Sequence, residues 1–419
     1  MSSRSQRPVS RRSATTVFYS LALGSGIMRT FSVVFDIFAL NTVTIDALTY
    51  GFLAQWTSFV VTFLAVAFLS IKRKKNGKKR ALGYSIDPDF DRIRLLPRKP
   101  MLYIVISGVF AGISTLAYYV LAGSTDASTI LPYGQLVIIY LLIGDLMAEK
   151  DTPTIIEIQS IISILIGVLL VGATPGGFDI LTLLIVLGPL NISSAMLTYY
   201  QRKTKRYELR PGLRVDSLNM RVWSLFVLNL VFGLFSVPFM SPTSWQVMAS
   251  SFVPLSGLMI GTSITAFFSI VMYVRALGRG SMAVVNSLSS ISVVLAIPMT
   301  IIGNLIIPGA FGLLDSSVFF WTLTMFGVIL VMIGVIALEA SDVRSLVLIK
   351  VKPQTGDLLP RLFDINGVEK AAALAGPHDY ILTIKSRNLA KTRSMILKRI
   401  QKIPGIADVE TLVTIKDYR

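Results

Sequence analysis

Ten long apolar stretches constrain this chain more than any other feature of its sequence. Each has about 20 residues or more, the length that a helix needs to cross the hydrocarbon core of a bilayer. Backbone groups in lipid must bond within their own segment, so such runs predict helices rather than the shorter strands of a porin-like barrel. The runs lie at about 16–40, 47–71, 101–123, 127–148, 154–174, 179–200, 220–240, 252–275, 281–307 and 317–339.

The composition agrees with a membrane protein and excludes several kinds of site. Of the 419 residues, 53% are hydrophobic and 15% are charged, against about 25% charged in typical soluble domains. With one histidine and no cysteine, the chain cannot build a thiol nucleophile, a disulfide, or a metal site made of Cys or several His side chains. We therefore expect no enzyme activity, no cofactor and no metal.

Basic residues predict the orientation of the ten helices. If the helices alternate in direction, every one of the 40 lysines and arginines except Arg29 lies at a terminus, or in or beside a loop, on one side. Positive charge concentrates on the cytoplasmic side of membrane proteins. We predict a multi-pass protein of the cell membrane with both termini, including the basic segment 1–15, in the cytoplasm.

The loop at 72–100 opens with the run KRKKNGKKR. Such a run beside a membrane predicts contact with anionic lipid, worth about 1 kcal/mol for each basic residue near the surface. The run lacks interleaved aromatic residues and no nucleic-acid-binding fold accompanies it, so we expect no nucleic acid as a partner.

Polar residues before the helices of the opposite side predict where those helices begin. Carboxylates and hydroxyls accept hydrogen bonds from the free amides at a helix start, and a negative charge suits the helix dipole there. The predicted caps are Asp46, Asp126, Asp179 and Asp315 before four helices, and Ser250 and Ser251 before a fifth.

The ten helices divide into two halves of similar length, 16–174 and 179–339. The segment YVLAGSTDAS at 119–128 aligns with YVRALGRGSM at 273–282, and a second short match closes both halves. Because five is an odd number, the second half would cross the membrane in the inverted sense. Inverted repeats are a transporter architecture with the binding site near the midplane.

Arg29 and Asp36 are charged residues deep in the first predicted helix. Arg29 lies about 20 Å from the inner end, where a charge costs at least ~2.5 kcal/mol. Asp36 follows seven residues later, on the same face of the helix. Two interpretations remain open: Arg29 binds an anionic group of a cargo and Asp36 tunes it, or the two residues form a structural pair satisfied by neighbouring helices.

Uncharged polar residues at similar depth are further candidates for cargo binding. Each could also hold helices together at about 0.6 kcal/mol. We expect some of them to line a shared cavity. The candidates are Tyr133, Gln135, Asn191, Ser194, Asn286 and Ser290.

After Glu339 the pattern becomes that of a soluble domain, residues 345–419. Alternating and helical periodicities predict the order strand, helix, strand, strand, helix, strand, an α+β ferredoxin-like (βαββαβ) fold. The segments are SLVLIKVK, TGDLLPRLFDI, VEKAAALAG, DYILTIKS, NLAKTRSMILKRIQK and IADVETLVTI.

Two family resemblances follow. The stretch ASTILPYGQLVIIYLLIGDLMAEKDTPTIIEIQSIISILIGVLLVG and the stretch ALGRGSMAVVNSLSS resemble helices of the EamA-like members of the drug/metabolite transporter superfamily. The resemblance covers roughly 16–339. It implies a secondary transporter, often an exporter of amino acids or other small metabolites.

The segments INGV, GPHDYILTI and IPGIADVETLVTI of the tail resemble the ligand-sensing (RAM) domain of the Lrp/AsnC family. This resemblance implies an amino-acid effector and a homodimer formed through 345–419. It carries Gly376, His378 and Asp379 over as effector-binding candidates. Gly376 and Asp379 are equally well interpreted as turn-formers.

The leading hypothesis is therefore an all-α polytopic membrane domain of ten helices, followed by a sensor domain. It would export a small polar metabolite, such as an amino acid or a derivative, under control of a cytoplasmic effector. Two alternatives stay open. One is a membrane receptor that does not transport and only anchors the sensor, and the other is an exchanger of phosphorylated sugars or nucleotides, which Arg29 would suit.

Overall fold

The protein is mostly helical and divides into two compact units. The larger unit consists of Thr15–Gly144 and Ile161–Val335, and the smaller unit contains the C-terminal residues from Ile336 onwards. The computed structural model describes residues 11–43, 45–75, 78–123, 127–149, 155–172, 180–311, 317–340, 343–353, 355–363, 365, 368–386 and 400–413.

Seven helical stretches among the described residues have the length and apolar composition to cross a membrane. They are compatible with a multi-pass membrane protein, because their backbone groups are satisfied within each helix. The stretches are α1 (Arg11–Thr42), α2 (Ala47–Leu69), α3 (Arg98–Ala122), α7 (Ile180–Ile185) continued through a π-helical turn into α8 (Ser193–Lys205), α9 (Ser217–Ser236), α10 (Pro242–Leu277), and α11 (Met282–Ser289) with α12 (Ile291–Ile306).

Three further apolar helices occur where the remaining runs lie, with shorter apolar segments at Ile130–Asp145, Ile158–Leu170 and Trp321–Gly334. One of them is interrupted after nine residues and resumes as a second segment. The helices are α4 (Ala127–Gln135) with α5 (Val137–Glu149), α6 (Ile155–Gly172) and α13 (Val318–Ala340).

Of the predicted helix caps that lie in the described residues, the structure confirms one and contradicts the pair before the fifth helix. Asp46 caps α2, with its carboxylate accepting a hydrogen bond from the amide of Thr49 at 2.9 Å. Ser250 and Ser251 are not caps, because α10 begins about ten residues earlier, where Ser241 accepts from the amide of Ser244. The other predicted caps, Asp126, Asp179 and Asp315, lie outside the described residues.

The loops that carry the basic residues meet at one end of the larger unit, which we call the basic end. Two short hairpins lie here, β1 (Lys72–Lys75) with β2 (Lys78–Ala81) and β3 (Glu208–Arg210) with β4 (Leu213–Arg214). The guanidinium of Arg206 donates to the carbonyl of Gly280 at 3.1 Å, which joins the loop after α8 to the loop after α10.

A buried ion cluster fastens the basic end. Lys205 donates to Asp87 at 2.8 Å and to Asp89 at 3.1 Å, and the amide and hydroxyl of Ser217 donate to Asp87 at 2.7 Å each. Burial raises the pKa of Asp87, but Lys205 and Ser217 outweigh that effect and leave the pKa below its ordinary value. Burial raises the pKa of Asp216, which caps α9, to about 6.

Small residues allow α3 to approach α9 closely. A Cβ placed on Gly108 would lie 2.6 Å from the Cβ of Val227, and one on Gly112 would lie 2.7 Å from the Cβ of Val231. A glycine every fourth residue is a common packing device between apolar helices. This contact therefore fixes the relative position of two helices that also line the crevice discussed below.

The C-terminal unit contains a four-stranded antiparallel sheet. Its strand order, β6-β7-β5-β8, is that of the predicted ferredoxin-like plan, with the first and third strands in the centre. The predicted second helix lies largely at 387–399, outside the described residues. The elements are β5 (Val343–Val351), α14 (Leu359–Phe363), β6 (Val368–Ala373), β7 (Tyr380–Ser386) and β8 (Ile406–Val413).

Candidate substrate site at two broken helices

Two helices of the larger unit are interrupted, and the interruptions are in contact. Helices α4 and α5 are separated at Leu136, whose amide bonds to the carbonyl of Tyr133, three residues earlier. Helices α11 and α12 are separated at Ser290, whose amide bonds to Ser287 in the same way. These tighter bonds narrow the helix for one turn. The interrupted helices are the fourth and the ninth of the predicted crossings.

A buried amide and hydroxyl network joins the two interruptions. The side-chain carbonyl of Gln135 accepts from Asn286 at 3.0 Å and from Ser290 at 3.1 Å. The amide of Gln135 donates to the hydroxyl of Ser292 at 3.3 Å. The structure therefore brings three predicted candidates, Gln135, Asn286 and Ser290, into one hydrogen-bonded group. We call this group the Gln135 network.

Two residues that the sequence reasoning missed extend the Gln135 network towards α8. The phenol of Tyr273 donates to the side-chain oxygen of Asn286 at 3.3 Å, and its oxygen lies 3.3 Å from the hydroxyl of Thr198. A polar group in the middle of an apolar helix was the available signal for both residues. Their pairing depends on contacts between distant segments, which local sequence does not encode.

Arg29 lies beside the Gln135 network without an ionic partner. A Cβ on Gly134 would lie 2.9 Å from its Nη2 atom, so the glycine leaves room for the guanidinium. The phenols of Tyr118 and Tyr273 are its electrostatic neighbours. Within the described part of the chain, no carboxylate lies at ion-pair distance from Arg29. A deep guanidinium in this condition favours an anionic ligand.

Asp36 is held by tyrosines rather than by Arg29. Its carboxylate accepts hydrogen bonds from Tyr50 at 2.8 Å and Tyr118 at 3.3 Å, and the residue is buried. The direct pair between Asp36 and Arg29, one of the two interpretations, is therefore not formed. Tyr118 connects the two residues indirectly, because it faces both of them.

Asn191, Tyr133 and Ser194 have mainly structural contacts. The side-chain amide of Asn191 donates to the backbone carbonyls of Tyr133 at 2.9 Å and Val186 at 2.6 Å, which ties the π-helical turn to α4. Tyr133 contributes its backbone to this contact. The hydroxyl of Ser194 lies 2.7 Å from that of Ser114, so Ser194 fastens α8 to α3.

The predicted cavity is not open at the Gln135 network. Gln135 is 0% exposed and Asn286 is 3% exposed, and the side chains bond to one another. The network thus forms a closed seam, because the amides and hydroxyls satisfy each other when the two broken helices are in contact. Among the described residues no group of three or more His, Cys, Asp or Glu side chains could hold a metal ion.

The candidate effector residues lie on the turn before β7. Asp379 accepts a hydrogen bond from the amide of Val351 at 2.7 Å, which favours a turn-forming role for its carboxylate. His378 faces Glu410 across 3.4 Å. A Cβ on Gly376 would meet nothing within 4 Å, so this position borders open space.

The comparison with protein families concerns this C-terminal part. Residues 345–419 match the family model described as Lrp/AsnC ligand binding domain. The C-terminal segment is an Lrp/AsnC ligand-binding domain. The four-stranded sheet described above lies within this Lrp/AsnC ligand-binding domain, and so do Gly376, His378 and Asp379.

The other comparisons add little to this assignment. No curated protein sequence matches the chain. A solved structure described only as "Crystal structure of protein" is similar, with a TM-score of 0.48 and 15% identity over 78% of this chain and 97% of the other chain.

Proposed function

We propose that the protein is a secondary transporter with ten membrane helices arranged as two inverted five-helix repeats, 16–174 and 179–339. Its cargo would be a small polar metabolite with a carboxylate, an amino acid or a derivative. The Lrp/AsnC ligand-binding domain would regulate it.

The observation that carries this proposal is the guanidinium of Arg29, which lies beside two broken helices and has no carboxylate at ion-pair distance among the described residues. A guanidinium binds a carboxylate with two parallel hydrogen bonds. Interrupted helices at corresponding positions of two repeats mark the binding sites of many transporters. The interruptions at Leu136 and Ser290 fall in the fourth helix of each proposed repeat.

The basic end would face the cytoplasm, because Lys and Arg concentrate on that side of a membrane. Both termini and the sensor domain would then be cytoplasmic. The β1–β2 hairpin would lie against anionic lipid, since it pairs Arg73 with Arg80 and Lys74 with Lys79, and like charges opposite each other destabilise an isolated hairpin.

The sensor domain would couple the cytoplasmic concentration of an amino acid to transport. An effector that binds one transport conformation more tightly shifts the population towards it. Export is the direction that the EamA-like resemblance favours. Dimerisation through 345–419 follows from the family to which this domain belongs.

The competing function is a receptor that does not transport and uses the membrane helices as an anchor. The closed seam at the Gln135 network is the observation that favours it, because satisfied amides and hydroxyls also hold helices together.

Flux in liposomes separates the two functions. Purified protein is reconstituted and tested with the twenty radiolabelled L-amino acids, beside Arg29→Gln and Ser194→Ala. A transporter gives flux with at least one amino acid, loses it in Arg29→Gln, and keeps it in Ser194→Ala, whose contact with Ser114 lies outside the Gln135 network. Absence of flux across the panel, or wild-type flux in Arg29→Gln, would contradict the proposal.

A further inference from the structure

The buried guanidinium of Arg221 lies in a crevice near the basic end. Four helices, α3, α8, α9 and α10, form the crevice around Arg221. Its polar lining consists of Ser107, Gln201, Arg221 and Ser224, and its apolar lining includes Ile104 and Val274.

The guanidinium of Arg221 is buried and is not fully hydrogen-bonded by the described residues. The residue is 6% exposed, and its Nε atom has no hydrogen-bond partner. No carboxylate of the described residues lies at ion-pair distance from it. Ser224, one turn further along α9, donates to the backbone carbonyl of Arg221 rather than contacting its guanidinium. A buried charge without a partner is costly, so the site favours an anion that the chain itself does not supply.

Lys205, at the same end, is a buried cation that has acceptors. Its ammonium has two carboxylates and the carbonyl of Val215 as acceptors. The protein therefore surrounds the Lys205 ammonium with acceptors, whereas the Nε atom of Arg221, which lines the crevice, has no partner among the described residues. The nearby carboxylate of Asp216 is used by the amide and side chain of Asn219.

The crevice continues the line of the Gln135 network towards the basic end. Gln201 lies three residues after Thr198 on α8, about 4.5 Å along the helix axis, and Val274 directly follows Tyr273 on α10. Thr198 and Tyr273 form the last contact of the network. The Arg221 crevice and the last contact of the Gln135 network thus lie at successive positions along α8 and α10.

We propose that the Arg221 crevice is a second carboxylate site, which takes the cargo on the basic side before it reaches Arg29. Arg221 binds the carboxylate and Gln201 donates to it, while Ile104 and Val274 contact the apolar part of the molecule. The crevice is lined by residues of four helices, which fits a small solute better than a lipid headgroup. This inference rests on the proposed transport function.

The test measures KM separately from each face of oriented proteoliposomes. The probe is whichever of the twenty radiolabelled L-amino acids gives the highest wild-type flux. In Arg221→Gln we expect KM to rise at least tenfold (on the order of one lost charged hydrogen bond) for substrate added at the basic end and to stay within about twofold at the other face. Arg221→Lys should recover part of the loss, and Arg98→Gln, an exposed charge at the start of α3, should match wild type.

Each other outcome overturns the inference. An unchanged KM at both faces means that cargo does not use the crevice, and an equal rise at both faces means a structural role. If Arg221→Gln does not fold, Gln201→Leu must give a smaller rise on the basic face only. If intact-protein mass spectrometry shows an anionic phospholipid on wild type that Arg221→Gln loses, the crevice holds a headgroup instead. If wild type transports and Arg221→Gln has the same KM at both faces, only this inference fails. If wild type shows no flux, the proposed transport function fails as well.

Discussion

Arg29 and Arg221 have no carboxylate partner among the described residues, whereas Lys205 has two. This difference separates residues that hold the fold from residues that are available to a ligand. The sequence identified Arg29 from its depth alone. It could not identify the Gln135 network as a unit, because Gln135 and Asn286 are 151 positions apart and only packing brings them together.

Replacing Gln135 tests the Gln135 network. Gln135→Leu removes three hydrogen bonds between the broken helices. One such bond contributes about 1 kcal/mol, so we expect flux in proteoliposomes to fall about tenfold or more. Ser194→Ala, which removes a part-buried hydrogen bond outside the network, should leave flux near wild type. Equal effects of both variants would mean that the network only supports the fold.

The ion cluster makes a stability prediction. Asp87→Asn leaves the Lys205 ammonium with a weaker set of acceptors in a buried site, and breaking a buried pair costs about 3–5 kcal/mol. Asp91→Asn, which breaks the exposed pair with Lys72, should cost at most about 1 kcal/mol. Thermal unfolding in detergent should therefore separate the two variants clearly.

The stability that Asp87 contributes has an expected pH dependence. The pKa of Asp87 is lower in the folded protein than its ordinary value, so its contribution to stability is present above about pH 4 and is lost as the pH falls through the folded pKa. The difference in melting temperature between wild type and Asp87→Asn should shrink below about pH 4. A difference that stays constant down to pH 2 would contradict the assigned role of Asp87.

At the scale of helices and strands, apolar length predicted most elements and missed two kinds of feature. The start of α10 was predicted too late, because the stretch SPTSWQVMASS is polar and a hydropathy pattern does not register it as part of a membrane helix. The helix begins at Pro242, after the cap Ser241. The interruptions at Leu136 and Ser290 were also missed. They depend on a single turn of tighter bonding, which leaves the overall apolar pattern unchanged.

The contact between α3 and α9 gives an element-scale prediction. Gly112→Val places new atoms against Val231, because a Cβ added at Gly112 would lie 2.7 Å from the Cβ of Val231. Overpacking of this kind costs about 1–3 kcal/mol, and we expect a lower melting temperature. Gly257→Val is the matched control, because a Cβ there meets nothing within 4 Å. An equal loss in both variants would point to helix propensity rather than to packing.

At the scale of the whole molecule, the C-terminal Lrp/AsnC ligand-binding domain and the apolar helices predict separable roles. The order of the sheet was predictable from the succession of strands and helices along the chain, which is that of the ferredoxin-like plan. Its ligand was not, because the side chain of Asp379 is committed to the amide of Val351 and the residues on the turn do not specify one effector.

Removing residues 345–419 should separate regulation from transport. We expect the truncated protein to retain flux and to lose any response of flux to cytoplasmic amino acids. It should also lose the dimer, as measured by light scattering in detergent. A truncated protein that remains dimeric would place the subunit contact in the membrane helices instead.

The most direct test of the central claim is the accessibility of the seam between the broken helices. The chain contains no cysteine, so a single Ser290→Cys reports without background. In a transporter, a membrane-impermeant thiol reagent should label this position from either face, at rates that cargo changes, while Ser194→Cys stays protected. Protection of Ser290→Cys from both faces, with and without amino acids, would contradict transport through this seam.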